Sequence, residues 1–365
     1  PPLLRRQRGG APAQRIGERL QVVLRVAVHA RLGDREEIQV LAGQVAERRL
    51  RGVLRQRPRA HGRVGVGARL REQRRGAWHR ARRREQEQPL TRIGLVEPGD
   101  DRGQRRLAAE REVGGIRADL LWLADAPIYY DLRKRGELYS YISPEAKAIP
   151  ADLKDPKGLF TAGRLINMII AVNTEVIPLK DAPKSWKDFP DAGKKAAMGN
   201  PLYSGSNFVT VAAFVRKDGN WSWFERARAK GVAVVRGNSE AATALAGKEF
   251  GVAMMLDYIV QGLINKGAPL SIVWPTDGAI SVPSPIAIIK GTKNPDGSKA
   301  FVDYVLSKEG QEFLVKQQVI PVRGDVKPPV GLPSAKEIKF MAIPYEWAAD
   351  NAPAIREQFE KTMLQ

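Results

Sequence analysis

Beyond residue 107, the apolar residues alternate between two patterns, short buried runs typical of strands and amphipathic stretches typical of helices. The apolar runs predict strands over 118–125, 164–174, 194–199, 232–235, 251–256, 270–275 and 279–290. The segments with helical spacing are 107–112, 127–138, a stretch from residue 206, 221–231, 238–250, 257–267, 295–317 and 353–364. Strands that alternate with helices predict an α/β fold with mostly parallel sheets.

One strand-to-helix junction is especially informative. It is the segment GNPLYSGSNFVTVAAFV at residues 199–215. One helical face is formed by Phe208, Val211, Ala212 and Val215. Ser204, Ser206 or Asn207 can cap the start of that helix. A strand, a tight turn and a capped helix place backbone N–H groups and a positive dipole end at one point, which suits an anion. The same residues also fit an ordinary helix cap without a ligand.

Two long predicted strands, 164–174 and 279–290, bracket a block of about 105 residues. A lobe inserted between two strand crossings gives two lobes joined by a two-stranded hinge. In such folds the ligand binds in the cleft, at the carboxyl ends of strands and the N-termini of helices.

Composition limits the chemistry that is available to the chain. Its 365 residues are enough for two domains. The absence of cysteine excludes disulfides and thiolate metal sites. No apolar run reaches the ~18 residues that a membrane crossing needs.

The formal net charge of +20 is distributed unevenly. Residues 1–118 hold 29 arginines, no lysine, 13 acidic residues and a single aromatic residue, Trp78. The rest of the chain holds 31 basic and 27 acidic residues, and its first lysine is Lys134. The overall charge therefore says little about the partners of the second part.

Three interpretations of the Arg-rich segment 1–106 are open. It is a basic arm for nucleic acid, a disordered tail, or a GC-rich stretch translated in the wrong frame or from the wrong strand. The lack of lysine and the near absence of aromatic residues favour the third. The segment begins PPLLRRQRGG, without an initiator Met or the apolar core of a signal peptide. We therefore expect a disordered or mistranslated segment and no nucleic-acid partner.

Six stretches in 107–365 together resemble a known family. They are ADLLWLADAP, IIAVNT, SWKDF, GNPLYSGS, VWPTDGAISVPSPIAIIKGTKNPDGSKAFVDYVLSKEGQEFL and VIPVRGDV, in this order. The set resembles the periplasmic solute-binding proteins of bacterial ABC importers, in the branch that contains iron(III), phosphonate and sugar-phosphate binders.

The resemblance implies a type II periplasmic-binding fold that closes around a small solute and delivers it to an ABC permease in the inner membrane. Lobe one would comprise 107–168 and 280–365, and lobe two 169–279. Nothing before residue 107 matches, so lobe one would lack its opening strands. The resemblance further implies a monomer in the periplasm, although the given sequence shows no signal peptide.

Ligand contacts are expected where strands end and helices begin at the cleft. The candidates are Ser204, Gly205, Ser206, Asn207, Asp125, Ala126, Asp257, Tyr258, Thr276 and Asp277. Four of these have an alternative structural role: Asp125 and Asp257 can cap the helices that follow them, and Thr276 and Asp277 can belong to the hinge.

The nature of the solute is argued from the donors that are present. Iron(III) binders of this branch typically use adjacent tyrosines where this chain has only Tyr258, often with a histidine or carboxylate. The pair Tyr129–Tyr130 lies on a predicted helix, where it fits packing better, and 107–365 contains no histidine. An oxyanion such as a phosphonate or phosphate ester is therefore favoured, with iron(III) as the alternative.

Catalysis is not expected. The matched region lacks the His and Cys residues that Ser-His-Asp, Cys-His and zinc chemistries require. It also lacks a phosphate-binding loop of the G-x-x-x-x-G-K-[ST] type and a dinucleotide-binding G-x-G-x-x-G after a strand. No cofactor is predicted. The alternatives from other classes are a nucleic-acid-binding protein that uses the Arg-rich segment and, less favoured, an enzyme of unknown class.

Overall fold

The structure is a computed structural model that describes residues 93–94, 107, 109, 110, 112 and 114–365. The predictions for the Arg-rich segment therefore fall outside the described residues, apart from the strand at 93–94. Within the described part, none of the helices has the length and apolarity required to cross a membrane.

Two sheets organise the described residues, and each defines a lobe. The sheet of lobe one consists of β1 (Ile93–Gly94), β2 (Leu120–Trp122), β3 (Leu138–Tyr139), β4 (Thr161–Ala162) and β11 (Pro285–Ile289). β11 pairs antiparallel with β2, β3 and β4, and β1 pairs parallel with β2. β1 lies inside the Arg-rich segment 1–106, which was predicted to be disordered or mistranslated.

The sheet of lobe two has six strands. They are β5 (Ile166–Asn173), β6 (Ala196–Gly199), β7 (Ala233–Val235), β8 (Val252–Leu256), β9 (Leu270–Val273) and β10 (Ile280–Val282). β6 is parallel to β7 and β8, whereas β5 is antiparallel to β8, β9 and β10. All eight residues of β5 are buried, as expected of a strand covered on both faces.

Residues 107, 109, 110 and 112 are helical, as predicted, and further helices flank the sheets. They are α1 (Ala126–Lys134), α2 (Gly205–Asp218), α3 (Ser222–Lys230), α4 (Asn238–Ala246), α5 (Asp257–Ile264), α6 (Pro295–Leu306), α7 (Lys308–Val315), α8 (Tyr345–Asp350) and α9 (Ala352–Met363). Short 3₁₀ segments are Pro144–Ala148, Ala151–Leu153, Leu179–Asp181 and Phe189–Lys195. The pattern missed α8 and the two-residue strands because they are too short to show a period.

The chain crosses between the sheets at two adjacent places. Gly163 follows β4 and precedes β5, and Ser284 separates β10 from β11. The Gly163 amide donates a hydrogen bond to the Ser284 carbonyl over 3.1 Å. This pair of crossings is the predicted two-stranded hinge of the type II fold. The exact lobe boundaries remain a prediction, although both β5 and β10 belong to the sheet of lobe two.

Two details of the prediction are wrong. The run 279–290 is two strands in different sheets, because Pro283 and Pro285 cannot donate hydrogen bonds to a continuous ladder. The sheets are mixed rather than mostly parallel. The reason is that β5 and β11 connect the lobes and run opposite to their neighbours, without a crossover helix.

The C-terminal helices contact elements of both lobes. α8 packs against α1, and α9 packs against α3 and α2. Phe359 on α9 is fully buried and meets Phe224 edge-on, with ring centroids 5.8 Å apart. This contact extends an aromatic cluster of Trp186, Phe189, Phe214, Trp221, Trp223 and Phe224. The last helix is therefore anchored on lobe two.

Candidate functional site: the interlobe crevice

The parallel strands β6, β7 and β8 of lobe two end at one edge of the sheet. The helices α2, α4 and α5 begin just beyond these ends, with the first of them preceded by the turn 200–204. The amide of Asn200 donates to the carbonyl of Val235, which joins the ends of β6 and β7. Three helix N-termini therefore gather at this edge, the position where α/β sheets bind ligands.

The first turn of α2 is held by a buried polar cluster, Ser204, Ser206, Asn207 and Asn238. Ser204 is the N-cap, and its Oγ accepts from the Asn207 amide N–H, so the predicted cap is confirmed. Asn207 Nδ2 donates to Ser204 Oγ at 2.8 Å and to Asn238 Oδ1 at 3.1 Å. Asn238 Nδ2 in turn donates to Ser206 Oγ at 3.0 Å.

This cluster fixes two helix starts against each other. α4 begins at Asn238, and its N-cap is Gly237 rather than the Asn238 side chain. The physical reason is that the Asn238 side chain is used to bond the first turn of α2. Asn207 is fully buried, and its amide also packs directly on Gly199, leaving no room for a Cβ there.

Backbone N–H groups in the first turn of α2 are further hydrogen-bond donors at this edge of the sheet. The first helical hydrogen bond of α2 runs from the Phe208 amide to the Ser204 carbonyl over 2.9 Å. The N–H groups of Gly205 and Ser206 precede that bond, so the helix itself does not satisfy them. They lie at the positive end of the helix dipole.

Gly205 is also where the two lobes touch. A Cβ built on Gly205 would lie 2.7 Å from the Asp125 Cβ and 3.0 Å from the Asp125 Cα. Asp125 follows β2 in lobe one, and Ala126 is the first residue of α1. The end of β2 and the start of α2 thus form one junction, which we call the crevice.

Asp125 is a buried carboxylate in this crevice. It is 5 % exposed, and neither of its carboxylate oxygens accepts a hydrogen bond from the part of the chain that the structure describes. Its ion partner is Arg356 on α9, whose Nη2 lies 3.7 Å from Oδ2. Burial raises the pKa of Asp125 to about 6, because the attraction of Arg356 and of the nearby Ile128 backbone N–H only partly offsets the loss of water.

A cavity of about 250 Å³ adjoins Asp125. Its walls are Leu107, Asp125, Pro127, Ile128, Asp131, Phe208, Ala349, Ala352, Pro353 and Arg356. The guanidinium of Arg356 lies over the Phe208 ring, 4.2 Å from its centroid. The cavity is therefore bounded by α1 of lobe one, α2 of lobe two and the C-terminal helix.

A second cavity, of about 120 Å³, lies on the hinge side of Ala126. Arg133 pairs there with Asp155 at 3.3 Å. Tyr345 also lines this cavity and donates a hydrogen bond to the Ser281 carbonyl over 2.8 Å. Its polar walls are thus largely paired within the protein.

Asp257 and Tyr258 begin α5, and both are buried. Asp257 Oδ1 accepts from the amides of Asn167 and Tyr258, and Oδ2 accepts from Asn167 Nδ2 at 2.7 Å. Burial nevertheless raises the pKa of Asp257 to about 6. Asp257 thereby joins α5 to the hinge end of β5. It is not the helix cap that was its alternative role, because the N-cap of α5 is Leu256.

Thr276 and Asp277 make their contacts elsewhere. Asp277 accepts from the amides of Trp186 and Lys187, and the Thr276 amide donates to the Lys184 carbonyl. These bonds anchor the turn that precedes the 3₁₀ segment Phe189–Lys195. The structure does not join these two residues to the cluster at α2.

The tyrosine pair of α1, Tyr129 and Tyr130, packs against other residues of the protein, as predicted. Tyr129 is fully buried, and its hydroxyl accepts a hydrogen bond from the Leu123 amide over 2.7 Å. Tyr130 stacks on Tyr345, with ring centroids 6.1 Å apart. Among the described residues, no group of three or more His, Cys, Asp or Glu side chains is placed to hold a metal ion.

Two cations near the crevice, Arg236 and Arg356, were not among the predicted site residues. Arg236 follows β7 directly, is exposed, and lies over the Tyr203 ring at 5.7 Å. Its position between a predicted strand and a predicted helix was a usable signal. Arg356 gave no such signal, because it looks like any exposed helical arginine until α9 docks beside Asp125.

Comparison of the whole chain with solved structures supports this architecture. The periplasmic binding protein AfuA of Actinobacillus pleuropneumoniae, solved with fructose-6-phosphate bound, superposes with a TM-score of 0.66 at 23% identity. The match covers 74% of this chain and 89% of that one. Iron-bound HitA of Pseudomonas aeruginosa gives 0.62 at 23% identity, covering 70% of this chain and 87% of that one. At these identities the likeness shows the shared fold.

Sequence comparison gives closer relatives over shorter spans. An uncharacterized protein of Haemophilus influenzae is 30% identical over 201 residues, which cover 50% of this chain and 56% of that protein. A periplasmic protein of Salmonella typhi, provisionally named for binding 2-aminoethylphosphonate, is 26% identical over 250 residues, 65% of this chain and 71% of that protein. The chain spans only about half of the length of two of its curated relatives.

The family model of bacterial extracellular solute-binding proteins matches residues 119–351. The match includes both hinge crossings, the end of β2 and the helix N-termini of lobe two. The fold, the crevice and this match agree, and the chain belongs to the bacterial extracellular solute-binding proteins.

Proposed function

We propose that this protein is the substrate-binding component of an ABC importer. It captures a small oxyanion, such as a phosphonate or phosphate ester, in the crevice and hands it to an inner-membrane permease from the periplasm. The observation that carries this proposal is the contact between Gly205, in the first turn of α2, and Asp125 at the end of β2. An oxyanion at that turn would touch both lobes.

The mechanism follows from this contact. The N–H groups at the start of α2 donate to the oxyanion, and the helix dipole favours its negative charge. A ligand held by both lobes binds the closed state better than the open one, so it shifts the population toward closure. The proposal assigns no catalytic step and no cofactor.

The names of similar proteins support the proposed ligand class. The relatives and structural neighbours include proteins named for, or solved with, an aminoalkylphosphonate, a sugar phosphate and iron. Two of these three solutes carry phosphorus oxyanions, and the crevice offers backbone donors for such a group. Iron(III) stays the alternative solute.

The test of the proposal is a substitution at the junction itself. In Gly205→Ala the new Cβ meets the Asp125 backbone, so the lobes cannot close fully. Titration calorimetry on the full chain should show at least ten-fold weaker binding of whichever solute raises the melting temperature in a screen of ethylphosphonate, 2-aminoethylphosphonate, fructose-6-phosphate and ferric citrate.

The matched control is Gly262→Ala on α5, where a Cβ meets nothing within 4 Å. It should bind the solute like the parent protein. Unchanged affinity in Gly205→Ala would refute the proposed site.

A further inference from the structure

We infer that the solute of this protein carries a cationic group, an ammonium, that binds Asp125 beside the oxyanion. The solute would then be a small zwitterion, an amino-substituted phosphonate or phosphate ester. This inference builds on the proposed function and names the substrate class of the same crevice.

The first step is the state of the Asp125 side chain. It is 5 % exposed, and both carboxylate oxygens are buried without a hydrogen bond from the described residues. Buried carboxylates in folded proteins normally have hydrogen-bond partners. A carboxylate that lacks them at the contact between two lobes has its acceptor positions available for a ligand donor.

The second step concerns the charge beside Asp125. An oxyanion at the first turn of α2 would lie next to this carboxylate, because Gly205 touches the Asp125 backbone. Two negative groups that share a buried site repel each other strongly. An ammonium on the solute removes the repulsion and donates up to three hydrogen bonds to the free acceptors.

The third step is that Arg356, although it is the ion partner of Asp125, makes no hydrogen bond to the carboxylate. Its nearest nitrogen is 3.7 Å from Asp125 Oδ2, beyond hydrogen-bond distance. The guanidinium lies instead over the Phe208 ring. In agreement with this geometry, the charged form of Asp125 is disfavoured by burial in spite of Arg356.

The fourth step is the space beside the carboxylate. The cavity of about 250 Å³ has Asp125 in its wall. Pro127, Ile128 and Phe208 supply apolar surface next to it. This surface suits the short methylene chain that separates an ammonium from an oxyanion in a small zwitterion.

The experiment compares two probes that differ only in the amine. 2-Aminoethylphosphonate and ethylphosphonate are titrated by calorimetry into the full chain and into Asp125→Asn. In the parent protein we expect at least ten-fold tighter binding of 2-aminoethylphosphonate. In Asp125→Asn that preference should disappear, since the neutral amide no longer attracts the ammonium and no longer repels the phosphonate.

The control is Asp131→Asn, which neutralises a second carboxylate in the wall of the same cavity. It should keep the preference for the amine. Melting temperatures of both variants establish that they fold.

The outcomes separate this inference from the proposed function. Equal affinities for the two phosphonates in the parent protein, or tight binding of fructose-6-phosphate with neither phosphonate bound, would overturn the inference and leave an oxyanion-binding protein. If no oxyanion of the screen binds, both the inference and the proposed oxyanion function fail.

Discussion

At the scale of single residues, two buried carboxylates behave differently although both follow strands at the same interlobe region. Asp257 is satisfied by three hydrogen bonds from Asn167 and Tyr258 and serves to join α5 to the hinge. Asp125 has no such bonds from the described residues and faces a cation at 3.7 Å. Bonding, rather than burial, therefore separates the structural carboxylate from the one proposed to bind ligand.

Asp125 should give the protein a measurable pH dependence of stability. Its pKa rises from the ordinary 3.8 to about 6 on folding, so the native state binds the proton more tightly than the unfolded chain. The stabilising contribution of the protonated form is complete below pH 3.8 and is lost as the pH rises through 6. The Asp125→Asn variant has no carboxyl group at this position, so it does not lose stability in this way as the pH rises.

Urea unfolding of the parent protein and Asp125→Asn between pH 4 and pH 7 checks this expectation. The free energy of unfolding of the variant relative to the parent should rise over that range, by about 3 kcal/mol at most. A difference that stays constant with pH would contradict it.

At the scale of elements, the hinge is held by side-chain contacts as well as by its two crossing strands. The Ser284 carbonyl accepts from the Gly163 amide and from Trp122 Nε1, the latter over 3.0 Å. Arg164 Nε donates to Ser284 Oγ at 3.2 Å, and its guanidinium lies 5.4 Å from the Trp122 ring centroid. The end of β2 is therefore tied directly to the point where the chain crosses between lobes.

Replacing Trp122 by Phe should weaken this tie. The variant loses a buried hydrogen bond and part of the packing on Phe301, and we expect a loss of roughly 1–2 kcal/mol in the free energy of unfolding. Chemical denaturation measures it.

Trp347→Phe is the control for this prediction, because Trp347 is only partly buried and its described contact is a cation–π contact with Arg216. Its cost should stay below about 1 kcal/mol. Equal effects of the two substitutions would mean that the hinge bond adds nothing.

At the scale of the whole molecule, residues distant in sequence complete the crevice. Arg356 and Phe359 are one helical turn apart on α9, and Phe359 is buried against Phe224 of α3. That packing holds Arg356 beside Asp125 of lobe one. The last helix thus links the aromatic cluster of lobe two to the Asp125–Arg356 ion pair of the crevice.

Phe359→Ala should destabilise the folded protein by about 3–5 kcal/mol, the usual cost of truncating a fully buried aromatic residue. Leu364→Ala, at the 43 % exposed C-cap residue just beyond the same helix, should cost less than about 1 kcal/mol. Urea unfolding of both variants tests the contrast. Equal costs would show that α9 is not anchored through its aromatic residue.

The sequence alone determined the order of the main elements and the polar start of α2. Continuous apolar runs such as β5 and the cap-and-face pattern around Ser204 are local signals, so they survive without tertiary information. The six short stretches and their order also indicated the family, and the match of the family model to residues 119–351 then showed it.

The tertiary structure decided which polar residues share the crevice and which do not. Asn207 is turned inward to bond Asn238, and Asp277 is used by the turn at Trp186, because both find partners across 31 and 91 residues of sequence. Arg356 reaches Asp125 only through the docking of α9. Local patterns carry propensity and periodicity, whereas hydrogen bonds and charges between distant segments exist only once the chain has folded.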